Sequence, residues 1–282
     1  MAGVEWLLKL ALSLSPLGAL ALFNRLVGPR RAPRFAPVLY TLAFFAVWEI
    51  ACRAFAISNF VLPAPSAIGK ALVDYQWPLL RAARDTLLMT LAGFGLSILF
   101  GLAVGLAVGA SRTLQAGLNP ILVGFNSIPK VAVVPILVIW FGVGWLPPVL
   151  TAFVISFFPI VVNVATGLAT IEPETEDVMR ALGASRLDIM RKVGVPRSLP
   201  YFFGALKVSI TLAYVGSVIG EQNASNLGVG NLITRASADF NVPLIFAALL
   251  VLAVLGVALV VLVELVEARM TGWAKRSGFA AG

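Results

Sequence analysis

The chain has 282 residues, of which 60% are hydrophobic and 12% are charged. Soluble domains carry about 25% charged residues, so this composition excludes an ordinary soluble protein and indicates a membrane protein. The net charge of +8 does not point to nucleic acid, because apolar runs as long as those found here do not occur in soluble nucleic-acid-binding domains. The basic residues are better explained by membrane orientation and by contact with anionic lipid headgroups.

The chain contains no histidine and a single cysteine, Cys52. One cysteine excludes an internal disulfide and a cysteine-rich metal site. The lack of histidine removes the commonest metal ligand and general base. We therefore expect no catalytic residues, no metal and no cofactor in this chain.

Residues 4–23 form the first apolar run, which is about as long as a helix that crosses a ~30 Å hydrocarbon core. Arginines follow this run instead of preceding it, which argues against a cleavable signal peptide. We predict that residues 1–34 form an extra N-terminal transmembrane helix and a basic linker. An interfacial helix is the alternative.

Six further spans are predicted within a membrane domain of residues 35–275. They cover residues 35–57, 86–110, 120–141, 148–168, 201–219 and 243–263. A short helix at residues 67–80 is expected along the outer surface, and residues 223–241 are expected to form a polar outer loop.

The second span carries Glu49 and Arg53 four residues apart, acid first, a spacing that lets the two side chains pair on one helix face. Such a pair lowers the cost of placing charge near the membrane. A structural pair is the favoured interpretation, and a contact with substrate is the alternative. In the third span Gly101, Gly105 and Gly109 recur every four residues, which predicts close packing against another helix.

The fourth span is predicted to be broken at Pro129 and Pro135, with Lys130 beside the first break. An intramembrane lysine indicates a functional site, and snorkelling to the interface is the alternative. Polar side chains are costly in hydrocarbon unless they face a cavity or a partner. The candidates for lining a solute path are Lys130, Asn163, Ser209 and Tyr214.

Residues 172–200 form the only long polar, helix-forming segment. Pro173 suits a first helical position, with carboxylates in the opening turn, and Gly183 is expected to end this helix. Ser185 followed by Asp188 predicts a capping box, so a second helix should start there and stop at Pro196. The result is a helical hairpin whose mixed apolar and acidic face could dock in a partner's groove.

Lysine and arginine counts support an orientation. With the hairpin in the cytoplasm, segments 24–35, 111–119, 170–200 and 268–282 hold 13 of these residues, and the outer segments hold 4. The positive-inside rule then places the N-terminus outside and the C-terminus inside.

The hairpin resembles the EAA loop of ATP-binding-cassette (ABC) importer permease subunits. Asp177 stands in the position of the family's glutamate, and Gly183 follows at the family's spacing. After nine intervening residues, Val193-Gly194-Val195-Pro196 matches the closing pattern. Val178 and Met179 stand where the family has two alanines. An unrelated amphipathic hairpin is the alternative.

Two more segments are similar to the taurine, alkanesulfonate and nitrate permeases. They are the Leu-Pro-Ala-Pro-Ser run ending at Ser66 and the run Ser127 to Gly144. The spacing of Gly220, Glu221, Gly228 and Gly230 also resembles this family.

The resemblance implies a type I importer permease fold with six core helices, plus the extra N-terminal helix. It implies a homodimer in a bacterial inner membrane, two copies of a separate ATPase subunit and an extracytoplasmic solute-binding protein. The implied solute is a small anion such as a sulfonate, taurine or nitrate, with a vitamin-precursor pyrimidine as the alternative. The residues expected to couple to the ATPase are Glu174, Asp177, Val178, Arg180, Ala181, Leu182, Gly183, Ala184, Ser185, Arg186 and Pro196.

The chain contains no GxxxxGK[ST] phosphate loop, so the ATPase activity is expected in another subunit and this chain is not expected to be an enzyme. A stand-alone secondary transporter is a second hypothesis, which would predict inverted repeats and membrane carboxylates for coupling ions. A membrane enzyme or scaffold is the third, and the lack of a nucleophile paired with a base disfavours it.

Overall fold

A computed structural model describes residues 32–109, 112–169 and 173–270. The predicted N-terminal span at residues 4–23 and most of its basic linker lie outside this part of the chain. Every regular element among the described residues is helical, and none is a strand. The predicted all-α architecture is confirmed for them.

The α-helices are α1 (Ala32–Ala54), α2 (Pro65–Asp74), α3 (Gln76–Gly109), α4 (Arg112–Ser127), α5 (Val134–Phe141), α6 (Leu146–Ala169), α7 (Pro173–Ala181), α8 (Arg186–Ile189), α9 (Val195–Ala224), α10 (Gly228–Ala238) and α11 (Val242–Met270). A 3-10 helix at Lys130–Val133 precedes α5. A π-helical turn at Met190–Gly194 joins α8 to α9.

Four helical segments among the described residues are long and apolar enough to cross a membrane. They are Gln76–Gly109, Leu146–Leu168, Met190–Ala224 and Val242–Met270. These segments correspond to the predicted third, fifth, sixth and seventh spans. A shorter apolar helix at Lys130–Phe141 occupies part of the predicted fourth span, and α1 overlaps the predicted second.

The bounds predicted for the outer-surface helix, residues 67–80, are wrong. α2 ends at Asp74 and α3 begins at Gln76, well before the predicted start of that span at Thr86. Pro78 lies in the first turn of α3, where a missing N–H forfeits no intrahelical hydrogen bond. The polar loop predicted at residues 223–241 is also more ordered than expected, because it contains α10.

The proline breaks in the fourth span are only partly as predicted. Helical structure is interrupted between Ser127 and Lys130, so Pro129 separates α4 from the 3-10 helix. Pro135 breaks nothing, because it lies in the first turn of α5, where proline is well tolerated.

The prediction that Pro196 stops the second hairpin helix is wrong. α8, the π turn and α9 follow one another without a gap from Arg186 to Ala224. A proline ring clashes with the carbonyl four residues earlier in an α-helix, here that of Lys192, and that residue lies in the wider π turn. The second arm of the hairpin therefore leads directly into a membrane span.

One compact unit comprises the described residues from 77 to 235 and from 248 to 270. Its core lies where α3, α6, α9 and α11 meet, and α6 packs extensively against α9. The buried side chains include Phe94, Ile160, Val164, Leu168, Phe203, Ile210, Leu259 and Val263. Since these residues come from four membrane helices, the unit is a packed helical bundle.

A second unit comprises the described residues from 32 to 76 and from 236 to 247. In it the ring of Trp48 on α1 lies edge-on to Phe246, with centroids 6.0 Å apart. The rings of Phe60 and Phe240 lie 5.6 Å apart.

Candidate functional site

The first helix of the hairpin, α7, ends in a left-handed turn at Gly183, whose φ is +83°. The N–H of Gly183 donates to the carbonyl of Arg180 at 2.9 Å, and the N–H of Ala184 donates to the carbonyl of Met179 at 3.0 Å. These two bonds form a Schellman motif, which favours glycine because other residues are strained by about 1 kcal/mol or more in this conformation. The chain therefore reverses direction directly after α7.

A capping box starts the second arm of the hairpin. The N–H of Asp188 donates to Oγ of Ser185 at 3.2 Å, and the N–H of Ser185 donates to Oδ2 of Asp188 at 3.2 Å. The Ser185 hydroxyl also donates to Oδ2 of Asp188 at 2.5 Å. These bonds favour the ionised carboxylate and lower the pKa of Asp188, with smaller help from the charges of Lys192 and Arg191.

The hairpin presents apolar side chains to its surroundings. Val178 is 59% exposed and Leu182 is 79% exposed. The two residues lie one helical turn apart, so they form a continuous apolar strip along α7. Large exposed apolar side chains on an otherwise polar helix are typical of a surface that binds a partner.

The other predicted coupling residues are placed around this strip. Glu174, Asp177, Arg180, Ala181, Gly183 and Ser185 are exposed, and Ala184 and Pro196 are half-buried. The side chain of Arg186 lies outside the described part of the chain.

The four path candidates differ in their surroundings. Asn163 and Tyr214 are half-buried, and each bonds a backbone carbonyl: Nδ2 of Asn163 donates to Pro159 at 2.9 Å, and the Tyr214 hydroxyl donates to Leu252 at 2.5 Å. Lys130 is half-buried at the start of the 3-10 helix. Ser209 is 0% exposed, and its hydroxyl has no hydrogen-bond partner among the described residues. Ser209 is therefore shielded from solute in this conformation.

Tyr214 also borders an apolar cavity of about 570 Å³ between α9 and α11. Its ring rests on α11 at Gly256, where an added Cβ would lie 3.2 Å from Cε1 of the tyrosine. The cavity wall is formed mainly by aliphatic side chains of both helices, among them Ile210, Val215, Leu249 and Val257.

Glu49 and Arg53 are paired in the structure, with Nη2 of Arg53 2.6 Å from Oε1 of Glu49. The same carboxylate accepts hydrogen bonds from the backbone N–H of Ser66 at 2.9 Å and from its hydroxyl at 2.8 Å. Ser66 lies in the first turn of α2. The pair therefore also holds the start of α2, a role that the sequence spacing alone did not reveal.

The three glycines of α3 that recur every four residues, Gly101, Gly105 and Gly109, lie against α6. An added Cβ at Gly101 would be 2.8 Å from Cβ of Ile160, and one at Gly105 would be 2.8 Å from Cβ of Val164. At Gly109 it would be 2.7 Å from Cδ1 of Leu168. No real Cβ tolerates such distances, so the close approach of the two helices requires glycine at these positions.

Residues 97–272 match the family model of binding-protein-dependent transport system inner membrane components. The chain belongs to this family. It is thus an ABC-importer permease, a multi-pass protein of the inner membrane, as the resemblance implied.

Curated relatives of this chain are also permease proteins. The permease is 32% identical to a probable ABC transporter permease protein of Haemophilus influenzae, over 79% of this chain and 91% of that one. It is 29% identical to the formylaminopyrimidine transport permease protein ThiX of Halalkalibacterium halodurans, over 85% and 96% of the two chains. It is 26% identical to the taurine transport system permease protein TauC of Escherichia coli, over 83% and 88%.

The fold is also that of a solved importer. Inward-facing structures of the MetNI methionine ABC transporter contain a chain that matches this permease with a TM-score of 0.63 at 21% identity. The match covers 70% of this chain and 98% of that one. The type I importer permease fold expected from the sequence is confirmed.

A buried carboxylate in the permease was missed as a site from the sequence. Glu221, near the end of α9, is 0% exposed. Its Oε2 accepts hydrogen bonds from the Thr86 hydroxyl at 2.9 Å and the Gly230 N–H at 2.8 Å, and its Oε1 accepts one from the Ser217 hydroxyl at 3.2 Å. The sequence signal was the glycine–glutamate–glycine spacing, which matched the family but did not indicate what the glutamate bonds.

The permease offers no metal site among its described residues, where no group of three His, Cys, Asp or Glu side chains is placed to hold an ion.

Proposed function

We propose that this permease imports a small solute by alternating access, driven by a separate ATPase that contacts the hairpin of residues 172–200. The observation that carries the proposal is the exposed apolar strip of Val178 and Leu182, which stops at the Gly183 turn. An ATPase groove that covered this strip would remove apolar surface from water, the usual source of affinity between a short helix and its partner. Asp177, which is exposed one turn before Ala181, could add a charge-assisted hydrogen bond.

The unbroken helical path from the hairpin into α9 supports the transmission of force from the ATPase to the membrane helices. The second arm of the hairpin runs through the π turn into α9 without a break. A displacement of the hairpin by a closing ATPase dimer would therefore move the cytoplasmic end of a membrane span. In this account two permease copies each contact one ATPase subunit, and a binding protein delivers solute from outside.

The ATPase is a second polypeptide in this proposal, because the 282 residues contain no GxxxxGK[ST] loop to hold the phosphates of ATP. The permease itself then contributes no catalysis. Its part is to open a path alternately to each side of the membrane.

The path is proposed to run along the helices that carry Lys130, Asn163, Ser209 and Tyr214. Of the four candidates, Asn163 on α6 and Tyr214 on α9 are half-buried, so part of each side chain is accessible. The buried Ser209 would take part only after α9 moves relative to its neighbours. Alanine at Asn163 or Tyr214 should lower uptake and leave binding of the ATPase unchanged.

Two solute classes follow from the relatives, a taurine-type anion and a formylaminopyrimidine-type heterocycle. No lysine or arginine occurs between residues 131 and 169 or between 208 and 224, which include most of α6 and α9. Lys207 is paired with Glu267 at 2.6 Å. A path whose helices carry so few cationic side chains favours the uncharged heterocycle over the anion.

The test of coupling is recovery of the ATPase with the permease. Leu182→Glu places a charge in the proposed contact, which should cost more than ~1.4 kcal/mol and lower the recovered ATPase at least about tenfold. The matched control is Val73→Glu, which changes an exposed apolar residue on α2, a helix predicted to lie on the outer surface. Full recovery with Leu182→Glu would contradict the proposal, and solute uptake that needs no ATPase would indicate a secondary transporter.

The solute class is tested on the binding protein. A thermal-shift screen with pyrimidines, taurine and alkanesulfonates should raise its melting temperature with a pyrimidine. A higher melting temperature with taurine or an alkanesulfonate alone would instead support a small anion as the solute.

A further inference from the structure

Three helices meet at the buried carboxylate of Glu221. Thr86 comes from α3, Glu221 and Ser217 come from α9, and Gly230 comes from α10. The Thr86 hydroxyl makes two hydrogen bonds. It donates one to Glu221 and accepts one from the N–H of Val229 at 2.8 Å. The five groups form one connected network.

The network fixes the beginning of α10. The first N–H groups of a helix have no partner within that helix and must find one elsewhere. In α10 the N–H groups of Val229 and Gly230 bond side chains of α3 and α9. The start of α10 is therefore held by two membrane helices, and both bonds are shielded from water because Thr86 and Glu221 are fully buried.

Two glycines fit this arrangement. Gly228 has a φ of +89°, and an added Cβ there would overlap the carboxyl group of Glu221. An added Cβ at Gly230 would lie 2.6 Å from the carbonyl oxygen of Val218. The backbone of α10 can therefore lie directly on α9 only without side chains at these positions.

The network lies at the end of α9 away from the hairpin, since α9 runs from Val195 to Ala224. Beyond it α10 exposes the polar side chains of Thr234 and Arg235. Nη2 of Arg235 also donates to the carbonyl of Asn226 at 3.1 Å, which fastens this helix to the turn before it. A firmly held polar helix is thus presented on the membrane side opposite the ATPase contact.

We propose that Glu221 is a positioning residue for solute delivery. Its carboxylate, with Thr86, holds α10 in the orientation in which the solute-loaded binding protein docks on the permease. The inference rests on the proposed function, and it adds the surface at which the binding protein is received. Glu221 acts through α10 and does not touch the solute.

The experiment measures ATP hydrolysis by the permease–ATPase complex in proteoliposomes, titrated with the binding protein that stimulates the wild-type complex. Thr86→Val removes the hydroxyl at nearly constant volume, and Thr86→Ser keeps it. Glu221→Gln removes the charge and replaces one of the two accepting oxygens by an NH2 group, which can only donate. The matched control is Thr90→Val, because Thr90 is also fully buried on α3 and its hydroxyl has no partner in the described part of the chain.

Thr86→Val and Glu221→Gln should raise the half-saturating concentration of binding protein about tenfold, the effect of losing hydrogen bonds to a charged group. Thr86→Ser and Thr90→Val should stay near the wild-type value. Hydrolysis without binding protein should be equal in all five complexes. The double variant Thr86→Val/Glu221→Gln should be no worse than the more affected single variant, since both break one network.

Wild-type half-saturation in Thr86→Val would overturn the proposal, even if Glu221→Gln failed to assemble. Equal effects of Thr86→Val and Thr90→Val would overturn it too, because they would reflect general loss of packing in α3. If binding protein stimulated no complex, the wild type included, the proposed function itself would be wrong.

Discussion

Four glycines of α3 let this helix lie directly against α6, namely Gly93, Gly101, Gly105 and Gly109. Among the three that recur every four residues, Gly105 is the most constrained by backbone, because an added Cβ would be 3.0 Å from the carbonyl oxygen of Val161 as well as 2.8 Å from Cβ of Val164. Neither neighbour can move without shifting α6. Gly95 lies on the same helix with nothing within 4 Å of an added Cβ.

These two glycines give a matched pair of substitutions. Gly105→Ala should lower the melting temperature of the permease, because overpacking a helix contact costs about 1–3 kcal/mol. Gly95→Ala should leave it unchanged or raise it, because alanine is favoured over glycine in a helix by about 0.5–1 kcal/mol. Thermal unfolding of the purified proteins measures both. Equal melting temperatures for the two variants would contradict the close contact.

At this scale the sequence predicts repeated local features better than distant partners. The four-residue glycine spacing indicated a packing face, although it could not identify Ile160, Val164 and Leu168 as the neighbours. Glu221 was not recognised as a site because its partner Thr86 lies 135 residues away in the sequence. The sequence around each residue gives no indication of this hydrogen bond.

The hairpin is the element in which local sequence and structure agree most closely. The Schellman turn and the capping box both follow from residues within a few positions of one another, so local sequence suffices to predict them. Pro196 misled the prediction because the π turn before it was not foreseen, and such turns have no clear sequence pattern.

The capping box has a pH dependence with a definite sign. The pKa of Asp188 is lowered, chiefly by the Ser185 hydroxyl and then by the Ser185 N–H. The box therefore stabilises the hairpin fully above the pKa of about 3.9 of an unfolded aspartate, and this contribution is lost as the pH falls through the lower folded-state pKa.

Ser185→Ala should raise the pKa of Asp188 toward its ordinary value. Lys192→Gln should raise it less, because the charge of Lys192 is one of the smaller causes. Carboxyl-carbon NMR titration of Asp188 in nanodiscs measures both shifts. An unchanged pKa in Ser185→Ala, or a larger shift in Lys192→Gln, would contradict the capping box as its cause.

For the whole molecule, composition and hydropathy were sufficient to predict a multi-pass helical protein, and the motifs were sufficient to predict the family. The spans α3, α6, α9 and α11 were predicted correctly because long apolar runs leave few alternatives. The ends of these spans were not predicted correctly, because α3 and α9 extend into polar segments where hydropathy does not distinguish helix from loop.

The orientation leads to a prediction for the N-terminal segment, which lies outside the described residues. If residues 4–23 cross the membrane, a cysteine at Gly3 is outside. Gly3→Cys in a Cys52→Ser background should react with an impermeant maleimide in intact cells. Labelling only after lysis would contradict a seventh span.

The central claim is that the hairpin couples an ATPase to the membrane helices, and stimulated ATP hydrolysis by Gly183→Leu tests it most directly. The φ of +83° strains any larger residue, while an added Cβ at Gly183 has nothing within 4 Å, so the variant should disturb the turn and leave the packing of the membrane helices intact. Gly117→Leu on α4 is the control, because that exposed glycine also has open space around it without a positive φ.

In proteoliposomes with the ATPase and solute-loaded binding protein, Gly183→Leu should hydrolyse ATP only at the unstimulated rate, with the oligomeric size and melting temperature of the wild type. Gly117→Leu should be stimulated normally. Normal stimulation of Gly183→Leu would contradict coupling through the hairpin.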